Sequence, residues 1–183
     1  MSSIDFDEAS HVYRLEGKEI PSVTTFLKDA GFCSPSRFYT TEKRDLGTIV
    51  HQYTALYDQG FLTIDEIDPE LRGYLTAWKE FRENTSFVAR GIETIVWSKS
   101  LWLAGTVDRF GTIGQQEAII DIKTGKKAAW HKYQLAAYNL IRESEALRVN
   151  VYLTAEGKYS VQTWGDATDY ATVLRALESR KPA

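Results

Sequence analysis

The chain has a single cysteine, Cys33, among its 183 residues. One thiol cannot form an internal disulfide, and it excludes zinc sites that are built from several cysteines. The sequence also lacks any apolar run that approaches the length of a membrane-spanning helix. Its first segment, MSSIDFDEAS, is acidic and has neither the basic nor the apolar region of a signal peptide. We therefore expect a protein of the reducing cytoplasm that has no membrane partner.

An excess of positive charge is missing as well, because the formal net charge is −3 and the pI is near 5.7. No global positive field therefore draws nucleic acid to this chain. A nuclease is still possible, since a bound divalent cation supplies positive charge locally. Basic side chains are concentrated in one segment, at Lys123, Lys126, Lys127, His131 and Lys132. Taken alone, this segment indicates a solvated face as readily as a binding surface.

The residues that are present describe an ordinary globular protein, with 43% hydrophobic and 26% charged positions. In the N-terminal part, HVYRLEGKEIPSV predicts a β-hairpin with strands near 11–15 and 18–23, and a short helix that ends at Gly31 should follow. A helix is predicted over 36–59, and its apolar positions form the expected core stripe. These positions are Leu46, Ile49, Val50, Tyr53 and Leu56 or Tyr57.

The rest of the chain alternates between strand and helix patterns. A second helix is predicted from Pro69 to about Asn84, because proline suits a first helical turn. The further predicted elements are strands at 86–98, 101–110 and 117–124, a helix at 130–143, strands at 147–154 and 158–164, and a helix at 166–179. A strand meander followed by a helical crossover predicts a mixed α/β sheet flanked by helices.

The stretch AIIDIKTGKK, residues 118–127, places two opposite charges in an apolar strand. Successive side chains of a strand alternate between its faces, so Asp121 and Lys123 lie on the same face. A buried charge without a partner is costly. The pair is therefore either a private salt bridge or part of a functional site.

A second carboxylate, Asp108, closes the strand pattern LAGTVDRFG and should lie on the neighbouring strand. Alone, it would indicate a turn aspartate before Gly111. Two carboxylates that converge at one sheet edge repel each other unless a cation bridges them, and oxygen ligands of this kind suit Mg²⁺ or Mn²⁺. Asp108 and Asp121 are thus candidate metal ligands.

Further candidates stand on other elements. His51, in GTIVH, lies off the apolar stripe of its helix, in a recess made by Gly47, Thr48, Thr54 and Ala55; alone, it would indicate a surface histidine. Glu93 interrupts the apolar strand GIETIVW, where a solvent-facing glutamate is the ordinary alternative. Gln134 and Tyr138 share a helix face at i, i+4 spacing, as any amphipathic helix would also allow.

Together these motifs form an ordered series: GTxxH, Glu93, G-T-V-D, I-D-I-K-T-G and Q-x-x-x-Y. In this order they resemble the RecB-like branch of the PD-(D/E)XK nuclease superfamily over about residues 44–140. The N-terminal hairpin is similar to one in phage-encoded members. The resemblance implies a restriction-endonuclease-like core with a mixed central sheet and an N-terminal β-hairpin. It also implies a stand-alone exonuclease of DNA recombination, repair or replication, in a bacterial or phage-infected cell.

The resemblance also implies residue roles and domain bounds. The chain would be one nuclease domain over 1–183, with a hairpin and short helix at 1–35, a catalytic core at 36–165 and a helix at 166–183. The implied Mg²⁺ or Mn²⁺ ligands are His51, Asp108, Asp121 and the Ile122 carbonyl, and the catalytic residues are Lys123, Asp121, Asp108 and Glu93. Gln134, Tyr138, Lys126, Lys127 and His131 would contact linear DNA, single- or double-stranded, and a recombination or replication protein is a further partner to expect.

Three alternatives remain open at this point. The same fold would serve as a non-cleaving module that binds DNA ends or a protein. Against this alternative, a module without activity would have no reason to keep Asp108, Asp121 and Lys123, whose burial is costly. A sequence-specific endonuclease is the second alternative, and a phosphoesterase of small substrates is the third. Larger RecB-like nucleases carry a helicase or a four-cysteine iron–sulfur cluster, and this chain has neither a Walker loop nor the cysteines.

Overall fold

The computed structural model of the chain describes residues 3–33 and 41–180. Within these ranges the strands form two sheets. We call them the N-terminal sheet, of three strands ordered β1-β2-β3, and the central sheet, of five strands ordered β4-β5-β6-β7-β8. The predicted fold class is confirmed in these terms: a mixed α/β chain with a helix-flanked mixed sheet and an antiparallel N-terminal hairpin.

The N-terminal sheet contains one strand more than the sequence pattern predicted. Strands β2 (Val12–Leu15) and β3 (Lys18–Ile20) form the expected hairpin, and β1 (Ile4–Asp7) pairs antiparallel with β2. Helix α1 (Val23–Asp29) follows, and the Ser22 side chain accepts a hydrogen bond from the Thr25 amide at its N-terminus. Because β1 is short and half acidic, its alternation gave only a weak strand signal.

Two helices come next. Helix α2 (Thr41–Asp58) lies in the predicted 36–59 segment, whose first five positions lie outside the described residues. Its predicted core stripe is partly wrong, because Ile49 is 38% exposed and Leu56 is 37% exposed, whereas Thr54 is fully buried. The buried face of α2 also meets a charged group of the sheet, so it includes a polar position that an apolar stripe cannot indicate. After a short 3-10 turn (Ile64–Glu66), helix α3 (Pro69–Thr85) begins with Asp68 as its cap.

The central sheet is built from both local and long-range pairings. Strands β4 (Phe87–Ser98), β5 (Leu103–Ile113) and β6 (Gln116–Lys123) form an antiparallel meander. Helix α4 (His131–Ile141) then crosses over to β7 (Leu147–Leu153), which pairs parallel with β6. Strand β8 (Tyr159–Trp164) and helix α5 (Thr168–Glu178) complete the described chain.

Apolar side chains cover both faces of the central sheet. Ile119 of β6 packs with α4 and α1, as Leu135 and Phe26 show. Ile120, the next residue, packs with α3 on the other face, beside Trp78. This alternation follows from the two-residue period of a strand, and it explains why β6 is apolar at nearly every position. No helix in the described ranges is long and apolar enough to span a bilayer.

Candidate active site

The candidate site lies in the central sheet, where polar residues of neighbouring strands come into line. Glu93 on β4 lies between the pairs Ile92↔Arg109 and Thr94↔Val107, and so faces Asp108 on β5. Asp121 on β6 follows directly after the pair Arg109↔Ile120, and it pairs with Asn150 on β7. The strands thus bring three carboxylates from distant sequence positions into one row.

Helix α2 brings His51 to this row. Its Nδ1 lies 3.4 Å from Asp108 Oδ2 and 3.9 Å from Glu93 Oε1. Among the described residues, His51, Glu93 and Asp108 form a group whose candidate ligand atoms all lie within 4.8 Å of one another. The recess predicted for His51 includes Gly47, where an added Cβ would lie 3.7 Å from the Thr124 hydroxyl of the segment after β6. Such a Cβ would be in ordinary van der Waals contact, so α2 lies close to the end of this strand at Gly47.

These charges perturb one another strongly. Burial by itself lowers the pKa of His51, but Asp108 and Glu93 raise it to about 9. Burial opposes the charge of Asp108, yet His51 and Lys123 outweigh this effect and keep its pKa below the ordinary value. Burial and the nearby Asp108 carboxylate raise the pKa of Glu93 to about 7. Carboxylates that are this crowded gain most from a cation.

Glu93 also has an unusual backbone. Its φ of 44° lies in the left-handed region, which a non-glycine residue rarely adopts within a strand. The register of β4 against β5 shifts nearby, between Ala89 and Gly91. Strained conformations of this kind persist where the surrounding contacts hold them, often at functional sites. The side chain is 35% exposed and therefore remains accessible from solvent.

Asp121 and Lys123 form the second half of the site. Lys123 Nζ lies 2.9 Å from each carboxylate oxygen of Asp121 and donates to Gln134 Oε1 at 3.1 Å. The amide of Asn150 donates to Asp121 Oδ2 at 2.7 Å, and Asn150 Oδ1 accepts from the Trp164 indole at 2.7 Å. Burial raises the pKa of Asp121 to about 6, although the Lys123 ammonium favours the carboxylate. The predicted same-face pair is thus an ion pair of a buried aspartate and a half-buried lysine, and it borders the His51 group.

The Gln134 and Tyr138 pair on α4 lies behind this half. Both side chains are buried, and Tyr138 packs against Gly105 of β5, where an added Cβ would lie 2.7 Å from the Tyr138 ring. A glycine in the motif G-T-V-D therefore makes room for the ring of this tyrosine. Gln134 accepts a hydrogen bond from Lys123, and a DNA contact by Gln134 or Tyr138 stays a prediction.

The basic segment after β6 divides into two environments. Lys126 and Lys127 are exposed, and Lys127 Nζ lies 5.4 Å from the centre of the Tyr152 ring. His131 is only 5% exposed, and its Nδ1 shares a 2.8 Å hydrogen bond with the Tyr152 hydroxyl. Burial, aided by Lys123, lowers the pKa of His131 to about 3, so the ring is neutral. We therefore retain the two lysines as candidate DNA contacts and assign His131 to the interior.

Several residues of the site were not predicted from the sequence motifs. Arg109 is completely buried and bonds both Asp58 of α2 and Glu93. Thr54 joins the same network, and Asn150 holds Asp121. The available signals were a charged residue directly after Asp108 and an asparagine in the middle of the apolar strand RVNVYL. Neither pattern indicates by itself which partner the side chain meets.

The donor set fits a divalent cation. Two ligand atoms of one octahedral Mg²⁺ ion lie about 3.0 Å apart when they are neighbours and about 4.2 Å apart when they are opposite, because each is about 2.1 Å from the metal. The His51–Asp108 and His51–Glu93 distances of 3.4 and 3.9 Å lie between these two values. Asp121 and the Ile122 carbonyl stay predicted ligands. Asp121 is engaged by Lys123 and Asn150, and the Ile122 amide donates to Asp108 Oδ2 at 2.7 Å.

Comparison with known proteins supports the fold. No family model and no curated protein matches this sequence. Among solved structures, that of a Eubacterium rectale protein named "Putative exonuclease" is similar, with a TM-score of 0.56 at 12% identity over 87% of this chain and 77% of that one. A second solved structure, with 17% identity over 85% and 81% of the two chains, has a TM-score of 0.37, which is too low to support an argument.

Proposed function

We propose that this protein is a divalent-metal-dependent deoxyribonuclease of the RecB-like PD-(D/E)XK type, acting as an exonuclease on linear DNA. The observation that carries the proposal is the group of His51, Glu93 and Asp108, next to the Asp121–Lys123 ion pair. The order of the motifs supports the family, and the E. rectale protein of similar fold carries the name "Putative exonuclease".

In this proposal His51, Glu93 and Asp108 hold Mg²⁺ or Mn²⁺, and Asp121 and the Ile122 carbonyl contribute from the adjoining strand. The bound cation would withdraw charge from phosphate oxygens and make a nearby water more acidic. The water attacks phosphorus in line, and the bond from phosphorus to the ester oxygen opposite the water breaks. Lys123 orients this water and offsets the negative charge that develops on the phosphate. The Lys123 ammonium is held in position because it donates hydrogen bonds to Asp121 at 2.9 Å and to Gln134 at 3.1 Å.

The exposure of the basic side chains supports a phosphate site that is accessible from solvent. The Lys123 side chain is 20% exposed, so its ammonium can meet a phosphate that approaches from solvent. Lys126 and Lys127 follow on the same loop and would hold the neighbouring phosphates of the strand. Trp130 lies 5.6 Å from Lys123 Nζ, at a place where an unpaired base could stack.

The test is hydrolysis of linear duplex and single-stranded DNA with Mg²⁺ or Mn²⁺. EDTA should abolish the reaction, and Asp108→Asn and Asp121→Asn should behave like the chelated protein. Asp29→Asn, an identical change at an exposed aspartate far along the chain, is the matched control and should be as active as the wild type. Activity that survives both EDTA and the two site variants would contradict the metal mechanism.

A non-cleaving DNA-binding module is the second candidate. The basic loop with Lys126 and Lys127 would suffice for DNA binding, whereas the Asp121–Lys123 ion pair would not be needed. Tight DNA binding by the wild type, without product under any metal condition, would favour this candidate over the nuclease.

A further inference from the structure

Arg109 is a fully enclosed charged residue beside the candidate site. Its side chain is fully buried, and its guanidinium lies 5.6 Å from the centre of the Trp78 ring. Nε donates to Asp58 Oδ2 at 2.6 Å, and one terminal nitrogen donates to Glu93 Oε1 at 2.9 Å. The other terminal nitrogen donates to Thr54 Oγ1 at 3.1 Å. One planar group therefore joins helix α2 to strands β4 and β5.

These hydrogen bonds lead to each member of the His51, Glu93 and Asp108 group. Glu93 is bonded through its carboxylate, and Asp108 through its main-chain carbonyl. His51 is reached in two steps, because the Thr54 hydroxyl that accepts from Arg109 itself donates to the His51 carbonyl at 2.9 Å. We propose that Arg109 is the positioning residue of the metal site and sets the spacing of all three ligands without touching the metal.

The orientation of the guanidinium is itself fixed from the far side. The side chain of Asp58 is fully buried and accepts hydrogen bonds from Arg109, from the Trp78 indole and from Arg82. An arginine fork held at Nε cannot rotate, so its two terminal nitrogens point to fixed places. A lysine would keep the charge but would offer no such fork.

The inference rests on the proposed function, since it assumes that His51, Glu93 and Asp108 bind a cation. Its test is therefore metal binding rather than turnover. Mn²⁺ affinity is measured by calorimetry, together with the thermal stability of the metal-free protein. Removing a group that orients metal ligands typically weakens metal binding by about 10- to 100-fold. We expect a loss of this size for Arg109→Lys, which keeps the positive charge.

Arg82→Met is the control for the buried charge network. Arg82 bonds the same Asp58 carboxylate but contacts none of the three ligands. This variant should be destabilised without metal while its Mn²⁺ affinity stays that of the wild type. A loss of affinity in Arg82→Met equal to that in Arg109→Lys would reduce Arg109 to a structural role and overturn the inference.

Thr54 gives a milder pair of variants in case the Arg109 variant does not fold. Thr54→Val keeps the shape of the side chain and removes the hydroxyl that links Arg109 to His51, whereas Thr54→Ser keeps the hydroxyl. We expect Mn²⁺ affinity to fall in the valine variant and to be retained in the serine variant. Equal affinities in the two would overturn the relay.

Failure of the proposed function would look different. A wild-type protein that takes up no Mn²⁺ would remove the metal site itself, and with it the ligands that Arg109 positions. Wild-type uptake with unchanged affinity in both Arg109→Lys and Thr54→Val would leave the nuclease proposal intact and reject the positioning role.

Discussion

At the scale of single residues, Lys123 and its neighbours divide the proposed work between binding and chemistry. Lys123 is held by Asp121 and Gln134 and lies beside the ligand group. Lys123→Ala should therefore keep Mn²⁺ binding by calorimetry near normal, while turnover falls by roughly two or more orders of magnitude, as for a lost transition-state contact. Lys158→Ala, at an exposed turn position, is the control. Loss of metal binding in Lys123→Ala would instead mark the lysine as structural.

His51 allows a second prediction at this scale, because imidazole is softer than carboxylate or water and favours Mn²⁺ over Mg²⁺. His51→Ala should weaken the binding of both ions, with the larger loss for Mn²⁺. Melting temperatures of wild type and variant, with and without Mn²⁺, report this effect without any assay of activity. The same stabilisation by Mn²⁺ in both proteins would return His51 to an ordinary helix position.

Single residues also show where sequence reasoning succeeds and where it ends. His51, Glu93, Asp108, Asp121 and Lys123 were predicted because a family pattern places them in order, and the structure brings them together. Their roles stay predictions until they are tested. Arg109 and Asp58 were not predicted, because their partnership depends on how α2 and α3 pack on the sheet. In the sequence these two charges are 51 residues apart, and no local rule connects them.

At the scale of elements, the contact between α4 and β7 should make stability depend on pH, because it buries His131 against Tyr152. The pKa of His131 is about 3 in the folded chain and ordinarily about 6.5, so below pH 6.5 the unfolded chain binds a proton that the folded chain refuses. The stability that neutral His131 provides is thus complete above pH 6.5 and is lost as the pH falls toward 3. Between pH 7.5 and 5 this linkage costs about 2 kcal/mol.

Comparison with His131→Phe isolates this term. Phenylalanine keeps a ring in place but cannot titrate or bond Tyr152, so the variant should be less stable than wild type at pH 7.5. The difference in free energy of unfolding between the two proteins should shrink at pH 5. Only the wild type loses stability through the protonation of unfolded His131, and the other buried groups titrate alike in both proteins. Urea unfolding at both pH values, in EDTA, measures this difference. A deficit that does not change with pH would contradict the buried neutral ring.

The type and extent of the helices and strands were easier to predict than their tertiary contacts. The strands β4 to β8 and the helices α3 to α5 lie within a few residues of their predicted places, because long periodic patterns specify both type and extent. Strand β1 was missed, and Ile49 and Leu56 were wrongly placed in the core. Both errors arise where tertiary contact outweighs pattern: β1 depends on pairing with β2, and α2 buries Thr54 against Arg109.

At the scale of the whole molecule, the prediction concerns DNA ends. The family resemblance implies an exonuclease, and the basic loop of Lys126 and Lys127 lies beside the site. Covalently closed circular DNA should then resist, while linear DNA of the same sequence is consumed under the same metal conditions. Gel analysis of both forms in one reaction provides the comparison. Rapid nicking of the circle would identify an endonuclease instead.

The joining of α2 to the central sheet has a consequence for the time at which cutting begins. The helix supplies His51 and Thr54, and the sheet supplies Glu93, Asp108 and Lys123, so neither part alone holds a complete site. Contacts between segments that are distant in sequence form late in folding, because closing a long loop costs conformational entropy before the contact contributes any stabilisation. Under the proposed function, a nascent or half-folded chain is therefore harmless to the DNA around it, and nuclease activity arises only once the molecule is whole.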